Sequence, residues 1–436
     1  MTPVATRHVV VIGGGICGLA TAHRLVRAGT RVTLLEAGDQ LGGLGTFFPW
    51  RGGSVERFYH CVMPSDDDLL DLLGELGLRE DVRWRPTRMG MIVDGRHHPF
   101  NSALDLLRFR PLGLVDRIRF GVVSLLLRRL GHGKDLDATR TEDWLRGLYG
   151  DAAWHELLAP MFGSKFGPSF GDVPALYLWQ RLGRERNVAV RGYPRGGYKP
   201  VIDALRASIE AGGGTVRTSA PVRRLHATGD RAHVTLPDGE VIEADHVVST
   251  MPLPSLRQVA DEELAARLPE VRLQYQGVVN VLFFLRRPLS GHYWAPVLRS
   301  GTDFDGVIEM SALAGTEPFG GRHLVYAMHY TDRESALYQE DDDSIAARWT
   351  GQLLELYSLK AEDVEEVRVF KAPFVEPVYP LGYLAQQPPV AVSGTPLLLA
   401  TTAHVYPAVT SWNSSVGLAN RVAAILDEAR TPAVRR

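Results

Sequence analysis

Residues 8–36, HVVVIGGGICGLATAHRLVRAGTRVTLLE, decide the fold. His8–Ile12 is a short β-branched apolar run, which suits a strand buried on both faces of a parallel sheet. Ile16–Ala28 has helical spacing, and Gly29 stands where a helix stops. Arg31–Leu35 reads as a second strand. The chain therefore opens on a βαβ unit. Between the first strand and the helix, Gly13-Gly14-Gly15-Ile16-Cys17-Gly18 fits G-x-G-x-x-G. Gly13 permits the tight turn, Gly15 lets the backbone approach a pyrophosphate, and Gly18 lets helix and strand pack closely. The helix start offers amides and a positive dipole end to phosphates. Glu36 closes the second strand, where a carboxylate accepts hydrogen bonds from a ribose diol and repels a 2′-phosphate.

Gln40-Leu41-Gly42-Gly43-Leu44-Gly45-Thr46 follows at once. A glycine pair there would let the main chain pass close to a ligand extending beyond the pyrophosphate, which favours FAD over NAD. The expected cofactor-binding residues in this region are Gly13, Gly15, Ile16, Cys17, Gly18, Glu36, Ala37, Gly42, Gly43 and Leu44.

Outward from this unit the chain has ordinary globular composition, with 45% hydrophobic and 22% charged residues in 436. Lys+Arg 48 against Asp+Glu 50 gives a formal charge of -2, which argues against a nucleic-acid binder. Five of the 48 basic residues are lysine. Two cysteines, Cys17 and Cys61, make neither a disulfide framework nor a four-cysteine zinc site, and no metal is expected. Met1–Arg7 lacks a signal-peptide pattern, and the apolar run Gly121–Leu127 is too short to span a bilayer. The expectation is a soluble cytoplasmic protein, monomer or homodimer, acting on a small molecule.

From Asp66 to about Gln180 helical spacing dominates, at Asp68–Leu76, Ala103–Phe109, Leu114–Leu130 and Thr141–Leu158, and strand patterns are scarce. A helix over Pro200–Ala211 and strands at Thr215–Arg217, Val222–His226, Ala232–Leu236, Val241–Ile242 and Asp245–Thr250 return the chain to α/β character. Gly277–Leu285, Asp305–Glu309 and Leu324–His329 read as further strands, Ser344–Leu356 as a helix, Leu397–Thr401 as a late strand and Asn413–Leu426 as the closing helix. No linker separates halves, so interleaved domains are expected. A discontinuous Rossmann-type, glutathione-reductase-like FAD-binding domain would comprise 1–60, 188–270 and 390–436. A helical cap would span 61–187, and a substrate-domain sheet 271–389. The fold class is α/β.

The opening motif, Glu36 and the second glycine pair resemble the flavin-dependent amine oxidase superfamily, which includes protoporphyrinogen oxidases, phytoene-type desaturases and, more distantly, UDP-galactopyranose mutases. Two further blocks carry the resemblance. One runs from Gly196-Gly197-Tyr198 through Gly212-Gly213-Gly214-Thr215-Val216 and Val222 to Ala244–Pro252; the other is Ser411-Trp412-Asn413-Ser414-Ser415-Val416-Gly417. The resemblance implies that Val222 contacts the adenine through its backbone and that Thr250, where the block returns to the flavin domain, is a cofactor-binding residue. It implies too that Ser411, Asn413, Ser414 and Val416 present helix amides to the flavin ring. The late strand departs from the pattern, ending Ala400-Thr401-Thr402-Ala403-His404 where many of these oxidases have Gly-Asp or Gly-Glu. No C-terminal cysteine matches the covalent flavin link of monoamine oxidases, so non-covalent FAD is expected. No lysine lies between Lys199 and Lys360, where some amine oxidases place one.

Three stretches resemble the mutases: Tyr59-His60-Cys61-Val62, Phe162–Gly167 and Glu376-Pro377-Val378-Tyr379-Pro380. An arginine that binds the diphosphate in mutases is replaced by Gly306. His60, Arg184 and Tyr379 are the catalytic candidates. His60 is either a group beside the flavin or a satisfied core histidine. Arg181, Arg184 and Arg186 form an anion clamp or a solvated face. Tyr379 and Tyr383 line a pocket or fill a core. Arg110–Arg129, apolar and basic, is expected to pack on its own domain rather than on lipid, so membrane contact is not anticipated. The function expected is two-electron, hydride-type oxidation or desaturation of a small organic substrate. A mutase-like sugar isomerase and a non-catalytic flavoprotein are the alternatives.

Overall fold

In a computed structural model the described residues are 7–167, 170–184, 189–271 and 273–428. The opening unit forms as its pattern demands: strand His8–Ile12, helix Ile16–Arg27, strand Arg31–Leu35. These strands sit in a five-stranded parallel sheet ordered Leu397–Leu399, His246–Ser249, His8–Ile12, Arg31–Leu35, Thr215–Arg217. The first strand is buried on both faces. Val9 and Val11 pack with Leu19, Leu205 and Val422 of the helices on one side. Val10 and Ile12 face Leu225, Val234 and Leu256 on the other. This two-sided burial is why the strand reads as a continuous apolar run without polar alternation.

Helix Ile16–Arg27 packs on Lys199–Ala211 and Trp412–Glu428. An antiparallel meander, Arg224–Thr228, Arg231–Thr235 and Val241–Ala244, covers the opposite face. A second, seven-stranded mixed sheet is ordered Val364–Val378, Gln274–Leu285, His323–Thr331, Gly306–Glu309, Trp294–Leu298, Gly90–Val93, Arg96–Pro99. Together the parallel sheet and this larger mixed one make the α/β architecture.

Several expected elements differ. The segment 66–180 is not devoid of strands: Val82–Pro86 pairs with Val190–Pro194, and Gly90–Val93 and Arg96–Pro99 extend the seven-stranded sheet. Their sequences, VRWRP and RHHP among them, carry arginines and histidines on exposed edges and so lack an apolar alternation. The helix expected over Thr141–Leu158 ends at Tyr149, because Gly150 takes φ +90°. A helical turn at Asp151–Ala153, a π-helical turn at Trp154–Leu158 and a helix over Ala159–Phe166 follow. The strand expected from Val222 begins at Arg224. The 15-residue strand Val364–Val378 has no counterpart in the sequence reading; its charges alternate irregularly and most of its residues are half-buried.

Gly18 is the tightest point of the first unit, since a Cβ there would lie 1.9 Å from the Gly13 carbonyl oxygen. Gly18→Ala is expected to cost about 1–3 kcal/mol of stability through forced backbone displacement. Urea unfolding would measure it, with Gly147→Ala as a control whose Cβ meets nothing within 4 Å.

Candidate functional site

The glycine loop leaves the first strand with Gly13 at φ +107°, where its N–H donates to Leu35 O at 2.8 Å. A Cβ on Gly13 would strike Thr250 Oγ1 at 2.2 Å, so Thr250 packs directly behind the loop. The helix begins at Gly15, which has no side chain, and no side-chain cap closes this end. Its first-turn amides therefore lack the acceptor that a serine or aspartate would supply. A Cβ on Gly15 would meet only Gly43 Cα, at 3.8 Å. The second glycine loop is clamped there, with Gly42 N–H donating to Gly14 O at 2.8 Å.

Glu36 accepts from Gly14 N–H at 2.7 Å and from Gly38 N–H at 2.8 Å, one on each carboxylate oxygen. Each oxygen keeps a further lone pair for a diol. Ala37 beside it is exposed. Ala220 N–H donates to Glu36 O and Ser219 N–H to Gly38 O, which lays the segment leading to Val222 along this edge.

From the glycine loops a cavity of about 360 Å³ runs inward. Gly15, Ile16, Cys17, Gly42 and Leu44 line its outer end; Thr250, Ser411, Trp412 and Ser415 line its flank. Gly13 and Gly18 shape the loop from behind. On the closing helix, Ser411, Ser415 and Leu418 recur at one-turn spacing and face the cavity.

Asn413, Ser414 and Val416 fall on other sides of that helix. Asn413 Oδ1 accepts from Leu69 N–H at 3.0 Å, and Val416 is wholly buried in the core. Ser414 and Ser411 exchange hydrogen bonds, Ser411 N–H to Ser414 Oγ at 2.9 Å and Ser414 N–H to Ser411 Oγ at 3.2 Å. The side chains of Asn413, Ser414 and Val416 thus have structural partners outside the cavity, whereas Ser411 lines it. Tyr379 also lies outside this cavity. It is 1% exposed, donates to Thr402 O at 2.9 Å, and packs among Tyr177, Tyr383 and Tyr406 rather than in the cavity. Tyr383 joins the same aromatic cluster. The Arg184 side chain and Arg186 lie outside the described residues.

His60 does line the cavity. Its Nδ1 lies 2.9 Å from Phe58 O, which can only accept, so Nδ1 carries the proton and Nε2 is left an acceptor. Burial pushes its pKa from 6.5 to about 4, so the ring is neutral near pH 7.

The inner wall holds groups that the sequence reading did not select. Lys165 Nζ lies 3.2 Å from Glu376 Oε2, with both side chains largely buried. The Tyr177 hydroxyl donates to Glu376 Oε1. Lys165 also stands 5.3 Å over the Tyr330 ring, and the Tyr330 and Tyr59 hydroxyls are 3.3 Å apart. Burial holds the Tyr59, Tyr177 and Tyr330 hydroxyls above their usual range, keeping them neutral, with the Arg181 charge opposing the shift. Asn280 Nδ2 donates to Arg57 O at 2.6 Å, while its buried Oδ1 has no partner among the described residues. An acceptor held there needs a donor from a ligand. One signal for this wall was present in the sequence: a lysine between Ser164 and Phe166 in a chain where only five of 48 basic residues are lysine.

The chemistry of this donor set suits a flavin dinucleotide. The uncapped loop amides would take the diphosphate, Glu36 the ribose, and the flank of threonines and serines the inner portion.

Two outcomes test the electrostatics. In the folded apoprotein His60 resists protonation between pH 6.5 and 4, whereas the unfolded chain takes up that proton, so stability falls as pH drops through this window. His60→Gln should remove that contribution. The folding constant of wild type relative to the variant should fall by up to about tenfold per pH unit there and stay level above pH 7. Removing one partner of the Lys165–Glu376 pair, as in Lys165→Met, should cost about 3–5 kcal/mol by leaving a buried charge uncompensated. Lys165→Met/Glu376→Gln should recover part of it in chemical denaturation.

Residues 16–407 match the family described as flavin containing amine oxidoreductase. A coproporphyrinogen III oxidase of Propionibacterium freudenreichii is 25% identical, over 89% of this chain and 87% of its own. A solved oxidoreductase of Methanosarcina mazei superposes with a TM-score of 0.73 at 20% identity, covering 95% of this chain and 99% of the other. A reduced UDP-galactopyranose mutase superposes with a TM-score of 0.75 at 16% identity, covering 98% and 95%.

Proposed function

This chain belongs to the flavin containing amine oxidoreductase family, and from that premise we propose that it is an FAD-dependent oxidoreductase removing two electrons, as hydride, from a C–H bond of a small organic substrate. The observation that carries the reading is the continuity of one cavity from the uncapped glycine loop to a closed wall of Lys165, Glu376, Asn280, Tyr59 and Tyr330. Bound non-covalently there, FAD would supply the two-electron acceptor.

The chain's own residues do the rest. The amides at Gly15–Cys17 bind phosphate oxygens, and Glu36 accepts from the adenosine sugar. Asn280 Oδ1 accepts a donor of the substrate, which orients it. The tyrosines and Phe374 exclude water, which strengthens each polar contact inside. His60 stays neutral and presents Nε2 as an acceptor; with a pKa of about 4 it orients rather than abstracts protons near pH 7.

The isomerase reading draws less support. A Cβ at Gly306 would lie 2.7 Å from the Trp294 ring, so Trp294 fills the place an arginine would need. The Phe166 and Tyr379 side chains, which match mutase segments, are buried outside the cavity.

The purified protein should be yellow, and its flavin should pass into the supernatant on acid denaturation. Anaerobic addition of an oxidisable substrate should bleach the flavin band with one oxidised product per flavin. Turnover that needs prior flavin reduction and consumes no oxidant would replace this reading with the isomerase. Glu36→Ala should weaken FAD binding about tenfold to a hundredfold by loss of a charged hydrogen bond, measured by fluorescence titration of the apoprotein.

A further inference from the structure

The helix Leu114–Gly131 packs by one face on Ala103–Arg108, Thr141–Tyr149 and Ala175–Arg184, and only Val123, Leu127 and Gly131 of its 18 residues are buried. Val115 and Leu125 are 78% and 77% exposed, and Leu114, Ile118 and Val122 are each at least half exposed. At about 100° per residue these five side chains occupy an arc of roughly 100°, on the side away from the buried residues. Leu104 and Leu107, on the neighbouring helix Ala103–Arg108, are exposed too. Scattered apolar residues on a surface need no explanation, but a continuous stripe on one helix does.

The charges around the stripe say what covers it. Residues 103–131 hold six arginines, Arg108, Arg110, Arg117, Arg119, Arg128 and Arg129, against two carboxylates, Asp105 and Asp116. That is a local charge of +4 in a chain whose formal charge is -2. Arg119 and Arg128 flank the arc on its two sides, and both are exposed. Arg119 is held in place by donating to Leu148 O and Gly147 O.

We propose that this face docks on an anionic lipid surface, the leucines and valines entering the interface and the arginines meeting the headgroups. A second copy of the chain fits poorly, since a symmetric contact would set +4 against +4. Among the described residues no helix is long and apolar enough to cross a membrane, so the mode is an in-plane one, with the helix lying in the interface.

The purified full chain is mixed with vesicles of half phosphatidylglycerol and half phosphatidylcholine, and with pure phosphatidylcholine vesicles, and floated on a sucrose gradient. Flotation with the anionic vesicles is expected, falling steeply as salt is raised. Val115→Glu/Leu125→Glu should weaken it at least tenfold, and Arg128→Glu/Arg129→Glu should abolish the preference for anionic lipid. Thermal melts unchanged by these surface substitutions would show that folding is intact; Val122→Ser supplies a milder variant should the first pair unfold. Failure of the wild-type protein to float, or flotation indifferent to the apolar substitutions, would overturn the proposal. So would concentration-dependent dimerisation in light scattering that Val115→Glu/Leu125→Glu abolishes, which would assign the face to a second copy.

Discussion

A helix amino terminus without a cap is the constraint around which the site is arranged. Helix Ile16–Arg27 starts at glycine, and no side chain accepts from its first amides. Unsatisfied donors at the edge of a packed sheet are costly unless an acceptor arrives. The Glu36 carboxylate is spent on Gly14 and Gly38 instead, two residues before the helix and three residues after the strand Arg31–Leu35. The loop thus holds its own shape while leaving its phosphate-facing amides for something else. Gly18 makes this geometry obligatory, since no side chain fits between helix and turn.

The larger sheet then closes the space that the loop opens. Strand Gln274–Leu285 runs antiparallel to both Val364–Val378 and His323–Thr331. Alternation along a strand puts Val278 and Asn280 on one face, and both line the cavity. Tyr330 pairs with Val278, and Glu376 with Gln276, so Tyr330 and Glu376 come from the two neighbouring strands. Lys165 arrives from helix Ala159–Phe166 above them. Four segments far apart in the chain converge on one wall, while the nucleotide end is built largely by the first 45 residues.

That difference explains what could be read in advance. The nucleotide end is local: a strand, a turn and a helix whose glycines are required by contacts within the same unit. Such contacts leave a spacing in the sequence. Asn280, Glu376 and Tyr330 are brought together by strand register, which no short motif records. Tyr379 lies away from this wall. It stands three residues beyond Glu376, past the end of the strand, and its ring turns into the tyrosine cluster. The Asn413 and Val416 side chains point away from the cavity by helical phase, since a helix shows only about one residue in three to a given neighbour. The edge strands Val82–Pro86 and Arg96–Pro99 escaped because their side chains meet solvent and carry no apolar period.

The identity of the residue at 165 follows from the same accounting of donors. The chain uses arginine almost everywhere a cation is needed, yet this buried cation is a lysine. An arginine would bring five donors in a rigid fork to a carboxylate whose other oxygen already takes the Tyr177 hydroxyl. Fewer donors and a flexible stem suit a cation set between a carboxylate oxygen and aromatic rings, and Lys165 meets Glu376 Oε2 and stands over Tyr330 and Phe166. The pair carries no net charge between its two members, which lowers the cost of its burial beside the cavity. A wall so composed is polar enough to orient a ligand and dry enough to make each contact count.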